Sequence, residues 1–359
     1  MRILTVVGAR PQFIKSAPVS KVFLAQGIEE YIVHTGQHYD DSMSAVFFDQ
    51  LGLPKPIYTL SAGGLNRDAM IASIRKDLLP ILESVRPDYV LVYGDTNSTL
   101  AGALAADELA IPLLHVEAGL RSFNDEMPEE INRIQTDELS TILFTPSEEA
   151  NKNIEAEGFL APFQKVVTVG DVMYDALLMF KKFSRHSEQM GDIKTFNSPF
   201  ALATLHRQEN VKHPERLKER IRTLNTLHNS GLNVWMPLHP STKQQITANG
   251  ISIDFITAAP VGYLEMLWLL EKAQIVLTDS GGLQKEAYFM NKPCITLRNE
   301  TEWTELVESG ANELFPLSRP AQEIISVVEK FKNATMPVQE FYGKGDAAAL
   351  IASTLKNLS

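Results

Sequence analysis

Residues 3–15 read ILTVVGARPQFIK and residues 275–287 read IVLTDSGGLQKEA. Each stretch opens as a short apolar run rich in β-branched residues, breaks at glycine, and resumes with helical spacing. A strand buried on both faces of a parallel sheet reads this way. Further runs of the same kind lie at Tyr31–His34, Tyr89–Tyr93, Leu113–Val116 and Val166–Val169. Helical patterns over Phe13–Gln26, Asp68–Ser84 and Thr99–Leu109 separate them. The alternation restarts with runs at Phe200–Leu205, Asn233–Leu238, Ile253–Thr257, Ile275–Thr278 and Cys294–Leu297, with helices expected over Pro214–His228 and Tyr263–Leu270. Alternating strands and helices predict an α/β fold. Their restart predicts two Rossmann-like, doubly wound domains facing a cleft. The expected division is 1–170, 171–345, and a terminal helix over 346–359 that packs back on the first domain. The polar stretch Lys181–Ser198 is expected to be a linker or interdomain loop.

A chain of 359 residues suits two domains of ordinary size. With 44% hydrophobic and 21% charged residues, neither a disordered nor a coiled-coil protein is expected. The lone cysteine, Cys294, excludes an internal disulfide and a cysteine-based zinc site, which makes a reducing cytoplasm the expected compartment. No apolar run approaches the roughly 18 residues of a membrane span, so no membrane association is expected. A net charge of −11 argues against nucleic acid, whose phosphates need clustered Lys and Arg. The charge is lopsided. Residues 1–170 hold 13 Lys/Arg against 23 Asp/Glu, while the remainder holds 20 against 21.

Ligands of open parallel sheets bind beyond the carboxyl ends of the strands, so the polar residues that follow each apolar run are the candidates. After the first run come Gly8, Arg10 and Pro11, with Lys15 one helical turn later. The glycine suits a tight turn, and the two cations suit an anion near a helix start. After the third comes Gly94-Asp95-Thr96-Asn97, where Asp95 is equally a candidate helix cap. Glu117 follows the fourth, and Glu129, Glu130 and Arg133 open the next helix. Three carboxylate positions near one sheet edge would repel if held together, which is how acid/base pairs arise. The second half supplies His206-Arg207, His239-Pro240, and then Asp279-Ser280-Gly281-Gly282 with Glu286 one turn on. That strand-to-helix turn exposes backbone N–H groups to an anion, and Glu286 suits a ribose diol. Arg298 follows the next run, before Glu302-Trp303. The chain lacks a dinucleotide fingerprint, a Walker phosphate loop, a serine-hydrolase elbow and a zinc-binding His motif, so neither a cofactor nor a metal is expected.

Taken in order, GARPQFIK (8–15), HTGQH (34–38), GDT (94–96), HVEAGLR (115–121), PEEINR (128–133), HRQEN (206–210), TDSGGLQKEA (278–287) and YGKGDA (342–347) resemble the UDP-N-acetylglucosamine 2-epimerase family, especially its non-hydrolysing bacterial type. The resemblance implies a glycosyltransferase-B-like fold, with UDP mainly on the second domain and the sugar reaching carboxylates of the first. It implies interconversion of UDP-GlcNAc and UDP-ManNAc through elimination of UDP and an enzyme-bound 2-acetamidoglucal. Asp95, Glu117 and Glu129 match the family's catalytic acids, and His206 its functionally important histidine. Arg10, Lys15, Arg133, Arg207, His239, Tyr263, Ser280, Gly281, Gly282, Glu286 and Arg298 are the implied substrate and UDP contacts. A homodimer is the implied assembly. Gln37 lies where a second, regulatory UDP-GlcNAc deserves a test.

Two departures bear on the substrate. Arg121-Ser122-Phe123-Asn124 leads to Met127-Pro128 where many UDP-GlcNAc enzymes carry a Thr-Gly and a longer Ser-Pro-containing loop, and Trp303 stands where the family's C-terminal loop often carries an arginine after Glu302. Both resemble the subgroup acting on UDP-2,3-diacetamido-2,3-dideoxyglucuronate. The simpler UDP-GlcNAc is taken first and the uronate second. A glycosyltransferase or a non-catalytic UDP-sugar sensor are the competing classes.

Overall fold

Burial on both faces is what makes each short run a strand. In the computed structural model, which describes residues 1–37, 52–192, 196–332, 335–337 and 339–358, Leu113–Val116, Ile142–Thr145 and Ile275–Thr278 are buried at every position. The first unit comprises Met1–Met179 and Glu340–Ser359. It runs β1 (Arg2–Val7), α1 (Arg10–Gln26), β2 (Glu29–His34), β3 (Tyr58–Thr59), α2 (Arg67–Val85), β4 (Tyr89–Tyr93), α3 (Asn97–Glu108), β5 (Leu113–Val116), α4 (Pro128–Leu139), β6 (Ile142–Thr145), α5 (Glu148–Glu157), β7 (Lys165–Thr168) and α6 (Val172–Phe180). Its seven strands lie in the order β3-β2-β1-β4-β5-β6-β7, all parallel. The order reverses between β1 and β4, so the turns after these two strands flank the switch point where ligands of this fold bind.

The second unit, Phe180–Gln339, repeats the plan. It contains β8 (Phe200–Thr204), α7 (Gln208–Val211), α8 (Pro214–Asn229), β9 (Asn233–Pro237), α9 (Pro240–Ala248), β10 (Ile256–Ala258), α10 (Tyr263–Lys272), β11 (Ile275–Thr278), α11 (Gly281–Phe289), β12 (Cys294–Thr296), α12 (Thr304–Glu308), β13 (Asn312–Leu314) and α13 (Glu323–Lys332). Its sheet order is β10-β9-β8-β11-β12-β13, with the switch between β8 and β11. Leu217, Ile221, Leu224 and Leu227 recur every three or four residues on α8 and bury one stripe against Val234 and Ile275. Each such side chain contributes about 1.5–3 kcal/mol on burial.

Local chemistry sets the helix ends. Asn66 caps α2 through Ala69 N–H at 3.0 Å, and Ser147 caps α5 through Ala150 N–H at 3.3 Å. The helix expected from Phe13 begins at Arg10, because Pro11 suits a first turn and Gln12 reaches back to the Gly8 and Ala9 N–H groups at 2.8 and 3.0 Å. The strand expected over Ile253–Thr257 is shifted to Ile256–Ala258, where it pairs with Trp235–Pro237.

The division of the chain differs from the expected one. The boundary falls after Met179, and residues 340–345 belong with the first unit. Asp171 N–H donates to Tyr342 O at 3.0 Å, and the Asp175 carboxylate accepts from Ala347 and Ala348 N–H at 3.2 and 2.9 Å. These bonds hold α6 and the last helix, α14 (Ala347–Lys356), in one body, and α14 packs on α1. The described residues of Lys181–Ser198 are packed rather than free. Arg185 N–H donates to Leu264 O at 3.3 Å, Met190 is buried, and His186 and Phe196 contact the Trp268 ring. Among the described residues, no helix is long and apolar enough to cross a membrane.

Candidate active site

In the first unit, the turns after β1, β4 and β5 are tied together by buried side chains. Gln12, besides bracing the start of α1, donates from Nε2 to Tyr93 O and Thr99 Oγ1, each at 3.0 Å. Gly8 is required for close approach rather than for an unusual turn. A Cβ there would lie 2.0 Å from Thr35 Oγ1 and 2.2 Å from Ser98 Oγ. Gln37 Oε1 accepts from Ser98 N–H and Oγ at 3.0 and 2.7 Å, which commits its carbonyl to the start of α3. His38, the last residue of HTGQH, lies outside the described residues.

Asp95 follows β4, but Thr96 is the residue that caps α3. The capping explanation for Asp95 therefore falls away. Its carboxylate is 31% exposed and pairs with Arg133, which is 3% exposed and also meets Glu130 at 2.5 Å. Asn132 Nδ2 donates to Asp95 O at 2.9 Å. Glu117 follows β5 with φ +71, a left-handed conformation that costs a non-glycine residue free energy and clusters at functional sites. It pairs with Lys15, their side chains being 6% and 12% exposed. A Cβ on Gly94 would lie 3.2 Å from Glu117 Oε2 and 3.5 Å from Lys15 Nζ, so this pair abuts the residue before Asp95. Two carboxylates thus stand at neighbouring strand ends, each with its own cation. The expected mutual repulsion is met by Arg133 and Lys15 rather than left between the carboxylates.

Glu129 is half-buried in the first turn of α4, and Arg10 is half-buried at the start of α1. Glu130 is buried, and its carboxylate accepts Ser122 N–H, Ser122 Oγ–H, Phe123 N–H and Arg133 Nη1, at 2.5–3.0 Å. It braces the β5–α4 loop. Behind it lies a buried network that the residue pattern did not single out. His115 places Nε2 2.7 Å from Gly94 O and Nδ1 2.7 Å from Asp137, and Asp137 also meets Arg121 at 2.8 Å. Burial alone would raise Asp137, but hydrogen bonding and charge from His115, then Arg121, hold its carboxyl below the usual range. Asp137 sits one turn beyond Arg133 on α4, a spacing that offered a signal for it.

In the second unit, Asp279 is fully buried and accepts His206 N–H at 3.1 Å, Arg207 N–H at 3.0 Å and Asn210 Nδ2 at 3.0 Å. It fixes the β8 turn so that the His206 side chain is 45% exposed. His239 is exposed and caps α9, its Nδ1 accepting Ser241 N–H at 3.3 Å. Partial burial, then the charge of His206, push its imidazole below the ordinary value. Ser280 caps α11, and a Cβ on Gly281 would lie 2.5 Å from Glu302 Oε1, so a side chain there would force Glu302 to shift. Arg298, 1% exposed, meets Glu302 at 2.9 Å and Glu209 at 3.3 Å, and Arg207 meets Glu302 at 3.6 Å. Trp303 Nε1 donates to Gly281 O at 3.0 Å, beneath the Lys285 ammonium 4.0 Å from its ring. Glu286 is 7% exposed on α11. Tyr263 is 3% exposed and edge-on to Phe180, placing it in the interior. No group of His, Cys, Asp or Glu among the described residues has the arrangement of a metal site.

A model of the UDP-N-acetylglucosamine 2-epimerase family matches residues 22–356. The chain belongs to the UDP-N-acetylglucosamine 2-epimerase family. Members of this family are sugar-nucleotide 2-epimerases. The chain is 47% identical over 359 residues to the UDP-2,3-diacetamido-2,3-dideoxy-D-glucuronate 2-epimerase of Pseudomonas aeruginosa, covering 100% of both. It also resembles the crystal structure of Methanocaldococcus jannaschii UDP-GlcNAc 2-epimerase in complex with UDP-GlcNAc and UDP. There the TM-score is 0.91 at 37% identity, covering 99% of this chain and 100% of the other. A likeness to Acinetobacter baumannii MurG, at 12% identity and TM-score 0.54 over 99% of each chain, concerns the fold alone. Each unit has the doubly wound sheet expected from the sequence, and the chain as a whole shares the two-domain α/β fold of these glycosyltransferase-B-like neighbours.

Proposed function

We propose that the chain inverts C2 of a UDP-linked 2-acetamido-2-deoxy sugar by eliminating and re-adding UDP. The C2 hydrogen is too weakly acidic for simple removal, so its departure is coupled to a leaving group. One carboxylate takes the C2 proton as the C1–O bond to UDP breaks, and the electron pair leaves with UDP. The C1=C2 glycal then accepts a proton at C2 from the opposite face while UDP re-adds at C1. The observation that carries this reading is the pair Asp95–Arg133 and Glu117–Lys15 at the ends of adjacent strands β4 and β5. It offers two fixed carboxylates for two faces of one carbon. Glu129 is a third candidate for that exchange. On this reading His206 steadies the departing diphosphate, while Arg207, His239, the Ser280-Gly281-Gly282 turn, Glu286 and Arg298 serve the UDP moiety, and the interior Tyr263, expected as a contact, is left to packing. Arg10 engages phosphate or sugar. Neither redox chemistry nor a cofactor is needed.

The full-length relative at 47% identity supports the diacetamido-glucuronate as the first substrate to test. The 37% identical structure bound to UDP-GlcNAc supports UDP-GlcNAc as the second. Each is incubated in D2O with the protein. Deuterium entering C2 without accumulation of UDP is expected, and Asp95→Asn or Glu117→Gln should abolish it while UDP still binds. Binding without exchange would instead make the chain a sensor, and free sugar with stoichiometric UDP would make it a hydrolase. The same reading includes a cytoplasmic homodimer. The exposed Leu24 and Leu350 of α1 and α14 are apolar surface suited to it, and light scattering would read twice 40.0 kDa.

A further inference from the structure

Phe123 combines two unfavourable features. Its side chain is 75% exposed, and its backbone has φ +55, the left-handed region that disfavours a residue bearing a Cβ. The conformation is imposed from outside. The buried Glu130 carboxylate accepts Phe123 N–H at 2.9 Å and Ser122 N–H at 2.9 Å. Past Phe123 the loop is folded by Met127 N–H on Asn124 O at 3.0 Å and Glu126 N–H on Asn124 Oδ1 at 3.1 Å. The backbone is therefore fixed while the ring projects. The same Glu130 grips Arg133, which pairs with Asp95, so a short chain of contacts couples the backbone of Phe123 to a candidate carboxylate. Glycine would adopt this turn without strain, and a polar residue would suit the exposure. An aromatic ring does neither, and strained residues held in this way by their surroundings cluster at active sites and ligand clamps.

We propose that Phe123 is a specificity-determining residue, the apolar wall of the sugar subsite, packing on the C–H face and acetamido methyl of the substrate sugar. This deepens the epimerase reading and rests on it. Aromatic rings serve such sites because they supply a large rigid apolar face at small entropic cost. Because the contact is with the sugar, it acts on UDP-sugar and not on UDP.

The test compares Phe123→Gly, Phe123→Leu and Phe123→Tyr with the parent by calorimetry, using UDP and both UDP-sugars, and by kinetics. For Phe123→Gly, UDP-sugar affinity and kcat/KM should fall on the order of tenfold, ~1.4 kcal/mol. UDP affinity should stay unchanged, and the melting temperature should be equal or higher as strain is released. Tyr should restore the affinity, and Leu should restore part of it. Unchanged UDP-sugar affinity, an equal loss for UDP, or a change of mass in light scattering would each overturn the proposal, the last making Phe123 an interface residue. The affinity ratio needs no turnover. A parent that binds UDP-sugar without C2 exchange would refute the epimerase reading and leave the subsite to be judged on binding alone.

Discussion

Asp175→Asn isolates one charge that holds the end of the chain on the first unit. Asp175 is 8% exposed on α6 and accepts Ala347 and Ala348 N–H at the start of α14. Burial, outweighing those bonds and aided by Asp171 and Asp346, raises its carboxyl from 3.8 to about 6. The native carboxyl thus holds its proton more tightly than the unfolded one. Stability therefore declines as pH rises from about 4 through about 6 and is level above. Two pKa units correspond to a ceiling of ~3 kcal/mol, of which roughly half is still to be lost between pH 5 and pH 8. Asparagine escapes that penalty but forfeits one backbone acceptor, about 1 kcal/mol, and a favourable charge at a helix start, about 0.3–1 kcal/mol. Urea unfolding should therefore find the variant ~1–2 kcal/mol more stable than the parent at pH 8 and close to it at pH 5. An equal difference at both pH values would refute the linkage. Since α14 packs on α1, which carries Lys15, the stability of this anchor bears on the candidate site.

Gly281→Ala places a Cβ 2.5 Å from Glu302 Oε1, on a carboxylate whose other oxygen pairs with Arg298 at 2.9 Å, whereas Gly282→Ala meets nothing within 4 Å. The first should cost about 1–3 kcal/mol of stability and weaken UDP binding at least roughly tenfold, with the second near neutral; equal effects in calorimetry would overturn the role of the turn. Glu130→Gln takes one carboxylate from the buried Arg133, which keeps Asp95, and should destabilise by about 1–3 kcal/mol in urea, no measurable loss being the contrary result. Burial pushes the Cys294 thiol up to about 12. Iodoacetamide at pH 8 should therefore label it at least roughly a hundredfold more slowly than in urea, and rapid native labelling would show the strand opening.

The strands left unread in the sequence include β6, Ile142–Thr145, buried throughout but only four residues long. β3 and β13 have only two and three residues and partly exposed faces, so they carry little periodicity. Besides Gln12's local bonds to Gly8 and Ala9, Gln12, His115 and Asp137 tie the site through partners 16–87 positions away, which no local pattern encodes. Asp95 illustrates the limit well. Its place after a strand was legible, but whether it capped the next helix depended on which neighbour, Asp95 or Thr96, turned its side chain to the backbone.

Hydrophobic patterning by itself determined two parallel α/β units and the positions of their strand-end turns, because a strand buried on both faces and a one-sided helix each leave a periodic trace. Tertiary structure alone decided where the chain divides, which cation answers each carboxylate, and that Phe123 is held strained and exposed. Those outcomes depend on side chains meeting across long sequence separations, where one buried hydrogen-bonding group such as Glu130 can fix a conformation that its neighbours' own propensities oppose.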